Sequence, residues 1–147
     1  MRHLEFGIFL PIAKNGFIAS KTTAQAMPTW ELNLDVTQRC ERMGFEFALS
    51  MIKHRGFGGE TEYWDYAQDS YALMAGLATV TERIELYPSI ATLTMHPAIC
   101  ARMAVTIDHM SKGRFGLNIV SGWYKDEYQQ MGLWPGDEHF GSRYDYA

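Results

Sequence analysis

Within GRFGLNIVSGW (residues 113–123) a single amide, Asn118, interrupts an otherwise apolar run. Burying an amide without partners costs roughly 2–7 kcal/mol, and Asn is disfavoured in strand interiors, so this residue asks for a task other than packing. Side chains alternate faces along a strand. Gly116, Asn118 and Val120 therefore share a small, partly polar face suited to a ligand, opposite Phe115, Leu117 and Ile119. Three other stretches carry comparable chemistry. SMIKHRGFGG (50–59) places Ile52 and Lys53 at the exit of a strand, before a glycine-rich loop expected to be mobile. PSIATLT (88–94) offers Ser89, Thr92 and Thr94. The segment 121–146 combines Glu127, Arg143, Tyr144 and Tyr146 with Trp123 and Trp134. A guanidinium suits phosphate, phenol and carboxylate groups suit hydroxyls, and flat rings suit a flat heterocycle. That is the chemistry of a sugar-phosphate cofactor site. Each stretch also fits ordinary packing or a solvated loop, since these residue types serve many ligands.

Other chemistries are less well represented. His96 precedes Pro97, an arrangement that starts a helix more readily than it serves catalysis. No convincing Ser/His/Asp triad and no metal-ligand spacing is present, so no metal is expected. The 147 residues carry a net charge of −4 with no basic run, which speaks against nucleic acid or an anionic membrane as the main partner. No apolar run approaches the roughly 18 residues of a membrane span, and no secretion signal opens the chain. Cys40 and Cys100 have no metal or CxxC spacing and read as buried thiols in a reducing cytoplasm.

These residues must be positioned by alternating strands and helices. Strands are expected over 5–11, 45–51, 83–92 and 115–120. Helices are expected over 30–44, with Leu32, Val36, Cys40 and Met43 on its apolar face; over 68–81, with Tyr71, Met74, Ala75 and Ala78; and over 97–111, with Pro97 at its first position. Residues 121–146 show no clear period, and SRYDYA (142–147) reads as the start of a helix. Largely apolar strands separated by helices imply a parallel sheet covered by helices. A doubly wound dinucleotide binder would open with a glycine-rich turn after its first strand, and PIAKNG is no such turn. Every strand is instead followed by a long or chemically loaded connection, the pattern of a (β/α)8 TIM barrel. Such a barrel takes about 250 residues. The expectation is therefore that 1–147 is the first half, four βα units, of one barrel domain, whose open edge would favour self-association.

The chain resembles the bacterial luciferase-like flavin monooxygenases. The stretches that carry the likeness are MPTWELN (27–33), FALSMIKHRGFGG (47–59), TLTMHPAICARMA (92–104), GRFGLNIVSGW (113–123), EYQQMGLWPGD (127–137) and SRYDY (142–146). The resemblance is nearest to the branch that opens pyrimidine rings. It implies a cytoplasmic enzyme of nitrogen metabolism that uses reduced FMN and O2 to oxygenate uracil or thymine, supplied by an NAD(P)H flavin reductase. It implies FMN contacts at Ile52, Lys53, Asn118, Glu127, Arg143 and Tyr144, with Asn118 and Ser89 at the flavin's reactive edge. The chain departs from the family pattern at Ser89, where a Thr is expected, and at Met95-His96, where Leu-Pro is expected. Related monooxygenases of sulfones, sulfonates or halogenated aromatics, a deazaflavin enzyme, and a flavin-binding protein without turnover are the competing readings.

Overall fold

The computed structural model describes residues 4–146, so residues 1–3 and 147 of the expected domain lie outside it. Four strands, β1 (Gly7–Phe9), β2 (Phe47–Ser50), β3 (Glu85–Ala91) and β4 (Asn118–Val120), form one parallel sheet in chain order. The connections are α1 (Trp30–Met43), α2 (Ser70–Ala78) and α3 (Pro97–Ser111). Two further helices, α4 (Lys125–Gln129) and α5 (His139–Tyr146), follow β4. A parallel sheet whose strands follow one another in order, each trailed by a helix, is the arrangement of consecutive units of a (β/α) barrel.

Each helix starts where the sequence supplies a cap. The Thr29 hydroxyl accepts from the Leu32 amide, the Asp69 carboxylate from the Ala72 amide, and His96 Nδ1 from the Ala98 amide beside Pro97. These contacts satisfy amides that a helix N-terminus leaves without partners. His96 therefore sets the start of α3, as its position before proline suggests.

The apolar core lies between the sheet and its helices. Leu10, Ala48, Leu86 and Ile90 meet Tyr71, Met74, Leu77, Cys100 and Ile107 there. The expected face of α1 needs correction. Its buried line is Asn33, Thr37 and Cys40, whereas Met43 is 76% exposed and Leu32 and Val36 are only partly covered. Polar groups can occupy this line because they are bonded. The Asn33 amide donates to the Thr29 carbonyl and to Gln68 Oε1, and the Thr37 hydroxyl donates to the Asn33 carbonyl.

At the end of the sheet away from the loaded connections, two charged side chains complete the turn between α2 and β3. Glu41 Oε1 accepts from the amides of Glu82, Arg83 and Ile84. Arg114 donates to the carbonyls of Ala78, Thr81, Ile84 and Ser111 and to the Thr81 hydroxyl. Burial lowers the pKa of Arg114, partly offset by the nearby Glu41 charge. One carboxylate serves the turn's donors and one guanidinium its acceptors.

β4 is shorter than the expected 115–120. Phe115 bridges Leu86, after which regular pairing resumes only at Asn118. Pro88, two residues after Leu86 on the side of β3 that faces β4, has no amide to donate, so the ladder is interrupted there. The Tyr87 ring crowds the neighbouring position. A Cβ on Gly116 would lie 2.1 Å from it, so only glycine lets the two strands approach here.

Candidate active site

The inward face of the sheet and the connections at its carboxyl end enclose a cavity of about 230 Å3. Five of the seven residues expected from the sequence line it: Ile52, Lys53, Ser89, Asn118 and Glu127. Arg143 and Tyr144 do not. They line an adjoining cavity of about 380 Å3 together with Phe140 and Ser121. Val120, Gly122 and Trp123 belong to both cavities, so the turn after β4 is the wall between them. Gly122 has φ +75°, and a Cβ there would press on Leu93 and Tyr128 at 2.9 Å.

Asn118 shows how an amide is accommodated in this strand. Its Nδ2 donates to Ser89 Oγ at 2.7 Å, across the β3–β4 register that pairs these two residues. The Ser89 hydroxyl in turn donates to the Ser50 carbonyl at 2.5 Å. The Ser89 amide donates to Ser70 Oγ at 2.9 Å, and Ser70 Oγ shares a hydrogen bond with Ser50 Oγ. A buried relay from β2, α2 and β3 thus holds the Asn118 side chain by its nitrogen. Among the described residues no donor reaches Asn118 Oδ1, which is left as an acceptor for whatever occupies the cavity. Ser89 is 3% exposed and bonded in both roles, so its influence on the cavity passes through Asn118.

Lys53 and Glu127 form the second feature. The ammonium lies 3.0 Å from Glu127 Oε2, and the two side chains are 4% and 5% exposed. The His54 amide donates to Glu127 Oε1. Around the ammonium stand the rings of Tyr124 at 4.6 Å, Phe57 at 4.9 Å, Trp123 at 5.4 Å and Trp64 at 5.9 Å. Ring faces attract cations, so the lysine is enclosed on several sides by negative potential. Pairing and hydrogen bonding are what make such burial tolerable. Burial, reinforced by the Glu127 charge, raises the pKa of the Tyr128 phenol, which therefore stays protonated beside this pair. In the neighbouring cavity the Arg143 guanidinium rests over the rings of Phe140 and Tyr144 at 4.1 and 4.6 Å. Among the described residues no carboxylate pairs with it, so it can meet an anion.

The glycine-rich loop is more ordered than its composition suggests. Gly58 and Tyr63 pair as a small hairpin, and the Gly58 amide donates to Asp65 Oδ1. Asn15 binds this hairpin to the first connection through Thr61 and Gln25, and Lys14 pairs with Glu62. Several contributors to the site carry little signal in the sequence, Ser50, Ser70, Tyr128 and Phe9 among them. Ser50 and Ser70 carry no pattern that separates them from ordinary serines. Phe9 could have been found by strand alternation, since it shares the inward parity of its strand and lines the cavity.

The family model described as luciferase-like monooxygenase matches residues 4–146. The chain is 61% identical over 144 residues to pyrimidine monooxygenase RutA of Bradyrhizobium sp. (strain BTAi1 / ATCC BAA-1182), covering 98% of this chain and 40% of that protein. It is 59% identical to RutA of Serratia proteamaculans (strain 568), covering 97% and 39%. The chain thus spans about 40% of the length of these curated relatives. Among solved structures it is similar to EDTA monooxygenase EmoA from Chelativorans sp. BNC1, with TM-score 0.81, 16% identity, and coverage of 99% of this chain and 34% of that one. It is also similar to riboflavin lyase RcaE, solved with modified FMN and riboflavin, with TM-score 0.79, 24% identity, and coverage of 99% and 35%. The four-stranded sheet is therefore part of a luciferase-like barrel, and the chain belongs to the luciferase-like monooxygenase family.

Proposed function

We propose that the protein containing this chain is a flavin-dependent monooxygenase that uses reduced FMN and O2 to oxygenate and open the pyrimidine ring of uracil or thymine. The chain supplies the first half of the barrel and the reactive edge of its site. The observation that carries this reading is the Ser50–Ser89–Asn118 relay, which presents one oriented acceptor, Asn118 Oδ1, to a cavity walled by aromatic rings. The high identity to proteins named pyrimidine monooxygenase supports the choice of substrate.

The donor set fits a flavin. A reduced flavin carries a ring N–H that an amide oxygen can accept, and Asn118 offers that oxygen with its nitrogen already committed to Ser89. Ile52 and the Lys53–Glu127 pair would lie along the ring system, and Arg143 with Tyr144 would take the phosphate-bearing tail. When bound, FMN supplies the redox chemistry and the reaction with oxygen, and the protein supplies binding, orientation and exclusion of side reactions. The chain's own contributions follow from its geometry. The serine relay fixes Asn118 before any ligand arrives, so no reorganisation is needed at the moment of reaction. The aromatic rings around Lys53 keep water from the buried ion pair. No side chain in the cavity needs to act as a nucleophile.

The test uses the full-length protein with FMN, an NAD(P)H flavin reductase and O2. Uracil should be consumed with matching oxygen uptake and appearance of a ring-opened product, and thymine likewise. Turnover of sulfonates or halogenated aromatics with uracil untouched would replace the substrate. Flavin retention without any oxygen-dependent product would replace the enzyme reading with a binding one.

A further inference from the structure

Trp64 sits in an unusual backbone conformation for a bulky residue, with φ +64°. The left-handed region costs a non-glycine residue roughly 1–2 kcal/mol, and such strain persists only where the surroundings impose it. Here they do. The indole Nε1 donates to the Gly16 carbonyl at 2.5 Å, the Tyr63 ring stacks on it at 4.9 Å and 23°, and the Phe17 ring meets it edge-on at 5.9 Å and 87°. The hairpin that carries Trp64 is itself held by Asn15 and Lys14 from the first connection. Two connections thus combine to fix one indole as a wall of the cavity that also contains Asn118 and Ser89. Trp123 also lines that cavity, but it is 53% exposed, and among the described residues no hydrogen bond anchors its indole nitrogen.

The indole's only polar atom is already bonded, so it meets the cavity through its ring, on which Tyr63 stacks, against which Phe57 tilts at 5.5 Å, and over which the Lys53 ammonium stands at 5.9 Å. We propose that Trp64 is a specificity wall, against which a planar heteroaromatic ring bound in the cavity stacks. This rests on the reading of the site as a flavin and pyrimidine site, and it assigns the wall to the ring of the substrate. Stacking of a base on an aromatic side chain contributes about 1–3 kcal/mol by truncation, which converts to roughly a tenfold to hundredfold change in an equilibrium constant.

The test uses Trp64→Leu and Trp64→Phe in the full-length protein. Trp64→Leu should raise the KM for uracil about tenfold to a hundredfold while the FMN Kd changes less than about threefold, and Trp64→Phe should recover most of the loss. The recovery keeps the test valid if the leucine variant folds poorly, because phenylalanine keeps a ring while losing the Gly16 anchor. Loss of FMN affinity with an unchanged KM would overturn the assignment to substrate and give the wall to the flavin. Unchanged KM and unchanged FMN Kd in Trp64→Leu would overturn the wall altogether, with the monooxygenase reading intact. If the unmodified protein binds FMN but does not turn over uracil, the substrate reading fails first, and a tenfold weaker binding of uracil to Trp64→Leu by calorimetry would still support the wall.

Discussion

The two faces of the sheet are built by different rules. On the helix-facing side Leu10, Ala48 and Leu86 are 0% exposed and Ile90 is 5% exposed. On the inward side Phe9 is 42% exposed, and Phe47, Leu49, Tyr87 and Asn118 are only partly covered. Both faces are largely apolar, so hydrophobicity alone does not separate them. What separates them is covering. α1, α2 and α3 close one face, and the other faces the interior of the barrel, of which this chain, at about 40% of its relatives' length, supplies only part of the lining. The lesson is that stability and function are drawn from the same strands at alternate residues, one parity feeding the core and the other the site.

Substitutions of each parity should therefore fail in different ways. The largest expected effect is on the side of stability. Arg114→Met removes a guanidinium that satisfies four carbonyls and a hydroxyl. A fully buried acceptor left without a partner costs about 1–3 kcal/mol, and because Arg114 is only half-buried, water reaches some of the five, so a loss of roughly 3–5 kcal/mol in denaturant unfolding is expected. A loss below about 1 kcal/mol would show that water replaces the clamp. Next comes the core parity itself. Leu86→Ala should lose about 2–5 kcal/mol, in the range of core truncations, whereas Phe9→Ala, on the exposed parity of the 147-residue chain, should lose clearly less. Equal losses would erase the distinction between the faces.

A smaller effect is tied to pH. Burial opposes ionisation of Glu41, but the amides of Arg83, Ile84 and Glu82 and the Arg83 charge outweigh it, and the carboxyl is held below its ordinary value of 4.5. A carboxyl depressed in the folded state stabilises the fold above its unfolded pKa, and the contribution is lost as pH falls through the folded pKa. Stability should thus decline as pH drops below about 4.5. Glu41→Gln should be less stable at neutral pH and should flatten that decline. An unchanged slope would remove Glu41 from the turn's stabilisation. The smallest effect is expected of Ser89→Thr, which keeps the hydroxyl that links Ser50 to Asn118, so unfolding and turnover should both stay within a few-fold. Ser89→Ala should lower turnover, because the Asn118 amide then loses the hydroxyl that holds its nitrogen.

Much of this organisation was legible in the sequence because it rests on periods. The strand and helix alternation, the boundaries of α3 and the inward parity of Asn118 all follow from spacing that local sterics enforce. The type of residue at strand exits also pointed to Lys53, Ser89, Asn118 and Glu127. Pairings across long separations were not legible. Nothing local joins Lys53 to Glu127, which meet only because consecutive parallel strands bring their exits together. α4 is five residues long, too short to show a period. The polar buried line of α1 was misread because Asn33 and Thr37 have partners that periodicity cannot see. The same holds for the glycine-rich loop, whose order comes from Asp65 and Asn15 rather than from its own composition.

The central claim is that Asn118 serves the site rather than the fold, and one paired measurement on Asn118→Ala in the full-length protein addresses it directly. Its Nδ2 bond to Ser89 is a single contact on the partly covered face, so the thermal midpoint should shift by no more than a few degrees. Removing one oriented hydrogen-bonding group from a reacting centre costs about a hundredfold to a thousandfold in rate, so oxygenation of uracil per folded, FMN-loaded molecule should fall by that factor. A variant that melts as before and retains its rate would contradict the account.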